Sequence, residues 1–185
     1  MVTRNIKIKG ISQYGYSKFV EGQKTPKTKE QRMKNAFERV YRDEKGKLLI
    51  PGAQLKACLL HSALLNEYKI GKSKARAQEL ISALFQVKPG MIHVHNGHPL
   101  LDKDLIYNEA PTKVGQPPRQ QMTMTGIYSL PEGWQCEFEV IVITNAIELD
   151  PLIEQLEFGG IICGIGGKRT WGWGRFEVFQ SSKVR

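Results

Sequence analysis

No apolar stretch in the 185-residue sequence approaches the length of a membrane helix; the longest uninterrupted aliphatic run is Val140 to Ile143. The opening MVTRNIKIKG has no apolar core and does not read as a secretory signal. Cysteine is scarce. Cys58, Cys136 and Cys163 are odd in number, far apart and set in apolar surroundings. That excludes a disulfide scaffold and predicts reduced thiols in a cytoplasmic protein with no membrane partner. A C-x-x-C pair, a nucleophile elbow, a Rossmann fingerprint and an internal repeat are all missing. Acidic residues are absent from 164–175 and few in the first 50 residues.

Apolar residues make up 41% of the chain, enough for a folded core, and the length suits one domain with long insertions. The net charge of +9 is uneven. Residues 1–50 hold 13 basic and 5 acidic side chains, and Lys168, Arg169 and Arg175 stand without acids near the C-terminus. Brought together by the fold, these two regions make a cationic surface for a polyanion.

Ile6, Ile8 and Ile11 alternate with Lys7 and Lys9, the pattern of a strand with one wet, basic face. Residues 12–47 follow as a charged insertion, read as loop or marginal helix. Pro51-Gly52 precedes a helix over 53–67 whose apolar residues wrap around it, predicting deep burial. Ala77, Leu80, Ile81, Leu84 and Phe85 carry a helical stripe. Met91–Val94 reads as a strand, and the proline-containing stretch 96–126 as loop. Residues 135–144 alternate as a clear strand. Asp150-Pro151 reads as a helix start and Gly159-Gly160 as its end. A glycine-rich loop then leads into a last strand over 175–179. The order predicts an α+β, ferredoxin-like or RRM-like βαββαβ core with long insertions.

The loop GIGGKRTWGWGRF places Gly164, Gly166, Gly167, Gly172 and Gly174 among Lys168, Arg169, Trp171, Trp173 and Arg175. Glycines let a backbone approach a ligand, basic side chains bind phosphate, and an indole stacks on a base. It is not a Walker A loop: Ile162 stands where the first glycine belongs, and Arg169 follows Lys168. The bland reading is a tight turn with one tryptophan packed inward.

LIPGAQLKACLL (49–60) and GIGGKRTWGWGRFEV (164–178) resemble, respectively, the segment opening the first helix and the C-terminal glycine loop of RAMP-superfamily CRISPR-associated proteins. RDEKGKLLIPG (42–52) and LPEGWQCEFEVIV (130–142) resemble pieces of that superfamily's type III CRISPR-RNA backbone subunits, in the same order. The resemblance implies one RRM-like domain over 1–185, with insertion 12–47 and a thumb-like loop 96–128. It implies CRISPR RNA and other effector subunits as partners, and self-stacking along the RNA. The matching RNA contacts are Lys56, Gly166, Gly167, Lys168 and Arg169, with Lys113 and Arg119 in the thumb. Lys7 on the first strand, Lys18 in the first loop, Trp171 and Arg175 complete the expected surface.

The sequence departs from the family pattern at Ala53-Gln54, Ala57 and Leu60. No aspartate precedes Asp43; the position of the family's catalytic aspartate falls near Phe37 and Glu38. The expectation is an RNA-binding backbone subunit with no cofactor, metal or catalytic residue. Asp43 reads as a turn residue. Two alternatives stay open: an endoribonuclease using His61 with Tyr14, Tyr16 or Lys18, and a solitary mimic that interferes with a CRISPR complex. His93, His95 and His98 could hold a metal but lack a fourth ligand; His93 or His95 could instead touch RNA, and these two read first as plain strand-face histidines.

Overall fold

Alternation along β1 (Val2–Gly10) buries Ile6 and Ile8 beneath helices and leaves Lys7 and Lys9 on the opposite face. The computed structural model describes residues 1–70, 72–95, 100–114, 121–143 and 147–183, except the side chains of 75, 93–95, 113, 114, 121 and 180–183. β8 (Trp134–Val142) repeats the pattern strictly: Trp134, Cys136, Phe138, Val140 and Val142 are buried, and the residues between them are half-exposed. β1 and β8 pair antiparallel with Ile6 opposite Phe138, so their apolar sets share one face. Gly10 is bare because the Trp134 indole lies over it, donating from Nε1 to the Ser12 carbonyl at 2.9 Å.

The main sheet runs β3 (Leu49–Ile50), β5 (Gly90–His95), β8, β1, β9 (Phe176–Lys183), and β4 (Phe85–Val87) pairs with β8. α2 (Gly52–Leu65) and α4 (Leu149–Ile162) pack against each other, and α4 also packs on β9. The order β5-β8-β1-β9, all antiparallel, is the ferredoxin-like arrangement that the sequence predicts. α2 turns Leu55, Cys58, Leu59, Ser62 and Ala63 inward, and α3 (Lys74–Leu84) buries Ala77 and Ile81. Leu64 and Leu65 of α2 are exposed, against the expected deep burial of that helix.

Three sequence readings need correction. The first concerns α4, which starts one residue before Asp150, with Glu148 as N-cap; Asp150 lies in the first turn and pairs with Arg4. Nor do Gly159-Gly160 end it. They are notches within it: a Cβ on Gly159 would sit 2.7 Å from the Ser62 Cβ, and one on Gly160 would sit 2.5 Å from the Phe176 carbonyl oxygen. Close packing on α2 and β9 outweighs the glycine cost of about 1 kcal/mol each.

The second correction is the stretch read as loop, which forms a hairpin of β6 (Ile106–Val114) and β7 (Gln121–Leu130). Pro111 is tolerated because β6 is the edge of a three-stranded sheet ordered β2 (Tyr14–Gly15), β7, β6. The third is the insertion, which contains α1 (Lys29–Glu38), a full helix started by a Thr28–Gln31 capping box. α1 lies on β7 where Gly126 leaves room, since a Cβ there would be 2.9 Å from the Arg32 carbonyl oxygen. Arg32 then grips Glu109 of β6 through Nε at 3.0 Å. No helix among the described residues is long and apolar enough to cross a membrane.

Candidate nucleic-acid interface

Residues 11–16 join three parts of the chain. Ile11 N–H donates to the Arg175 carbonyl at 2.9 Å, and Tyr16 N–H to the Tyr128 carbonyl of β7 at 2.9 Å. Gly167 N–H reaches the Gly15 carbonyl at 2.8 Å, and Gly174 N–H reaches that of Gln13 at 2.6 Å. The glycine loop is thereby sewn to the base of the hairpin. Its glycines are needed for this packing: Gly164, Gly166, Gly172 and Gly174 all have positive φ, and a Cβ on Gly174 would run into the Ile165 carbonyl. The N–H groups of Ile165, Gly167, Gly172 and Gly174 donate within the protein. The loop therefore offers charge mainly through its side chains.

An open groove of about 520 Å³ lies where the loop, residues 16–20 and the hairpin meet. Lys18, Arg39 and Lys168 line it with Ser17, Gln23, Thr112 and Thr125, and none of its described lining residues is acidic. Lys168 is held at φ +61° and donates from Nζ to Thr112 Oγ1 at 3.2 Å. Its ammonium also lies 4.9 Å from the centre of the Trp171 ring, a cation–π contact. Trp171 is 51% exposed and meets the half-buried Trp173 edge-on at 6.3 Å. One tryptophan thus packs and the other is presented. Arg169 is exposed on the turn after Lys168.

The other expected contacts are scattered. Gly166 abuts the Tyr14 ring behind the groove, whereas Gly167 is on its wall. Lys56 donates to the Ser82 carbonyl of α3 at 2.6 Å, and Arg175 donates to the Ile161 carbonyl at the end of α4 at 2.7 Å. Lys7 is on the open sheet face, 3.9 Å from Glu137. Lys88 pairs with Glu139 on that face at 2.6 Å, and Lys9 sits in register with Glu177, so basic and acidic side chains alternate there. Lys113 follows Thr112 on β6, with its side chain outside the described residues; Arg119 and His98, and the side chains of His93 and His95, also lie outside them.

Arg39, Ser17, Gln23, Thr112 and Thr125 are groove residues that sequence reasoning missed. The alternating Thr123, Thr125 beside Met122, Met124 was the available signal for a strand there. Asp43 is a turn residue, its carboxylate accepting from the N–H groups of Lys45 and Lys47 at 2.9 and 2.7 Å. Tyr14 and Tyr16 are buried, and burial pushes both hydroxyls well above their ordinary pKa. Tyr14 donates to Gln54 at 2.8 Å.

No family model and no curated protein matches the sequence. Solved structures do share the fold. A chain of type III-B Cmr-beta bound to cognate target RNA aligns with a TM-score of 0.63 at 11% identity. The alignment covers all of this chain but only 61% of that one, so this chain spans about three fifths of its length. Oligomeric Cmr4 from Pyrococcus furiosus aligns over 100% of both chains with a TM-score of 0.53 at 14% identity. Cmr6 from the same organism gives 0.53 at 12% identity, over 96% of this chain and 98% of its own. The chain shares its fold with these subunits of CRISPR complexes.

Proposed function

We propose that this chain is an RNA-binding subunit of a CRISPR effector ribonucleoprotein, built as a single RAMP-like domain that grips RNA by its backbone and stacks with like subunits. The observation carrying the reading is the groove that gathers Lys18 and Arg39 of the insertion with Lys168 of the glycine loop, with no acid among its described lining residues. Phosphates would lie along these cations, and a base could stack on the exposed Trp171. Such a grip tolerates sequence, because it touches no base edge that carries a code. The sheet face is a poorer RNA track, since Glu137, Glu139 and Glu177 offset its lysines. RNA cleavage has weaker support. Of the expected partners of His61, Tyr14 and Tyr16 are buried with raised pKa values and are poorly suited to proton transfer with a solvent-side substrate, whereas Lys18 lines the groove.

The test is fluorescence anisotropy with labelled single-stranded RNA. The double variant Lys168→Glu, Arg169→Glu should bind at least about tenfold more weakly at moderate salt, because two phosphate contacts become repulsive. Its circular dichroism should be unchanged. Unchanged affinity would remove the glycine-loop grip from the reading, and RNA cut by excess wild-type protein would turn it toward the ribonuclease.

A further inference from the structure

The face shared by α2 and α4 carries two thiols that the RNA reading leaves unused. The helices run antiparallel there. Asn66 Nδ2 donates to Gln155 Oε1 at 3.0 Å, and Ser62 Oγ donates to the Gln155 carbonyl at 3.0 Å. Cys58 Sγ then stands 3.2 Å from where a Cβ on Gly159 would sit. Descending α2 thus matches ascending α4, and one turn beyond Gly159 on the same side comes Cys163. Cys163 continues the buried row of Leu152, Leu156 and Gly159 and packs against the core. Its N–H donates to the Gly159 carbonyl at 2.7 Å. Gly159 places no side chain beside Cys58, so the row is open toward Cys163. Burial pushes the Cys58 thiol up to about 12, the nearby Cys163 adds to this, and Arg169 opposes it. Burial also raises Cys163, against Arg169 and Arg175. Both sulfurs therefore sit within electrostatic reach of Arg169 in the glycine loop. Cys58 is 1% exposed, whereas Cys163 is only half-buried. The third cysteine, Cys136, is buried in β8 against Gly90.

We infer that Cys58 and Cys163 are a redox pair, two thiols at rest and one disulfide after attack by a hydroperoxide, and that forming the bond moves the glycine loop. Cys163 is the thiol that solvent reaches. As thiolate it attacks a peroxide oxygen, the O–O bond breaks, hydroxide leaves and takes up the thiol proton as water, and Cys163 becomes a sulfenic acid. Cys58 then attacks that sulfur, the S–O bond breaks and a second water leaves. Two thiols lose two electrons and two protons, and one hydrogen peroxide becomes two waters. Cys58 is fixed inside α2, but Cys163 is the C-cap of α4, so the bond forms by movement of Cys163. The next residue, Gly164, opens the glycine loop at φ +64°. Its N–H shares the Gly159 carbonyl at 3.0 Å, and a Cβ on it would lie 2.9 Å from the Gly174 backbone. That turn has no slack, so a shift of Cys163 passes on to Lys168, Arg169 and the two loop tryptophans. The loop responds in this way whether or not it grips RNA.

Treating the RNA-free full chain with hydrogen peroxide tests it. Thiol titration in denaturant should fall from three per chain to one. Peptide mapping without reductant should find Cys58 linked to Cys163 and Cys136 free. Emission from Trp171 and Trp173 should shift on oxidation and return with dithiothreitol. Cys163→Ser, a small change at a half-buried helix end, should keep native circular dichroism and abolish both the link and the shift. Three thiols that persist, a sulfenic acid trapped at Cys163 with no link to Cys58, or a Cys163 bond between copies overturns the pairing. A Cys58–Cys163 bond that leaves tryptophan emission unchanged, or an equal shift in Cys163→Ser, overturns the response of the loop. All of these readouts are taken without RNA, so failure of the protein to bind RNA would sink the RNA reading and leave this result standing.

Discussion

Lys168 holds a left-handed backbone that most side chains avoid, and it does so while placing its ammonium between Thr112 and Trp171. Lys168→Gly should therefore keep or raise stability, by up to about 1 kcal/mol, because it relieves that conformation. The same change should weaken RNA binding. A loss of both would mean that Lys168 is a packing residue, and urea titration beside anisotropy reads the two separately. The glycines differ among themselves as well. At Gly174 a methyl group would strike the Ile165 carbonyl, so Gly174→Ala should cost about 3 kcal/mol or more. At Gly172 an added methyl would find its nearest neighbour, the Arg175 Nε, 3.8 Å away. Only the positive φ opposes it, so Gly172→Ala should cost about 1 kcal/mol. Equal effects of the two changes on urea midpoints would contradict the packing account of the loop.

Helix α1 and the hairpin form one element pair, held at Glu109. Arg32 reaches this carboxylate through Nε at 3.0 Å, and the Tyr107 hydroxyl donates to it at 2.7 Å. Hydrogen bonding from Arg32, and then from Tyr107, holds the Glu109 carboxyl below its ordinary pKa. A carboxylate with a lowered folded pKa contributes stability that is present above its unfolded pKa and is lost as pH falls through the folded one. The stability advantage of wild type over Glu109→Gln should be full near neutrality and shrink on acidification below the ordinary glutamate range of about 4.3. Thermal melts of both proteins across that range measure it; an advantage that grows toward acid would contradict the sign.

The proposed RNA grip of three or four cations belongs to the whole molecule, since Lys18, Arg39 and Lys168 meet only in the folded chain. The logarithm of the binding constant should fall linearly with the logarithm of salt, with a slope of roughly −2 to −3 for that many phosphate contacts on a single strand. Homopolymers of different bases should share that slope. A slope near zero, or one base bound far better than the rest, would point to recognition outside the groove.

Strand and helix identities that depend on near neighbours were legible in the sequence. The alternation of β1 and β8 and the stripes of α2 and α3 follow from period and apolar spacing, which a single chain segment carries in itself. The glycine loop was legible for the same reason, since its residue types constrain the backbone locally. The hairpin was not. Pro111 opposes a strand unless that strand is an edge, and whether β6 is an edge depends on β2 and β7. The extent of α4 was hidden likewise, because Gly159 and Gly160 end a helix in isolation but admit α2 and β9 in the folded protein. The site divides along the same line. Composition determined that basic residues dominate the first 50 positions and the glycine loop. Only the tertiary structure decided that Lys168 meets Lys18 and Arg39, while Lys56 and Arg175 turn to main-chain carbonyls elsewhere. Charge type is written residue by residue, but convergence depends on hydrogen bonds between segments more than a hundred residues apart, such as Gly167 to Gly15.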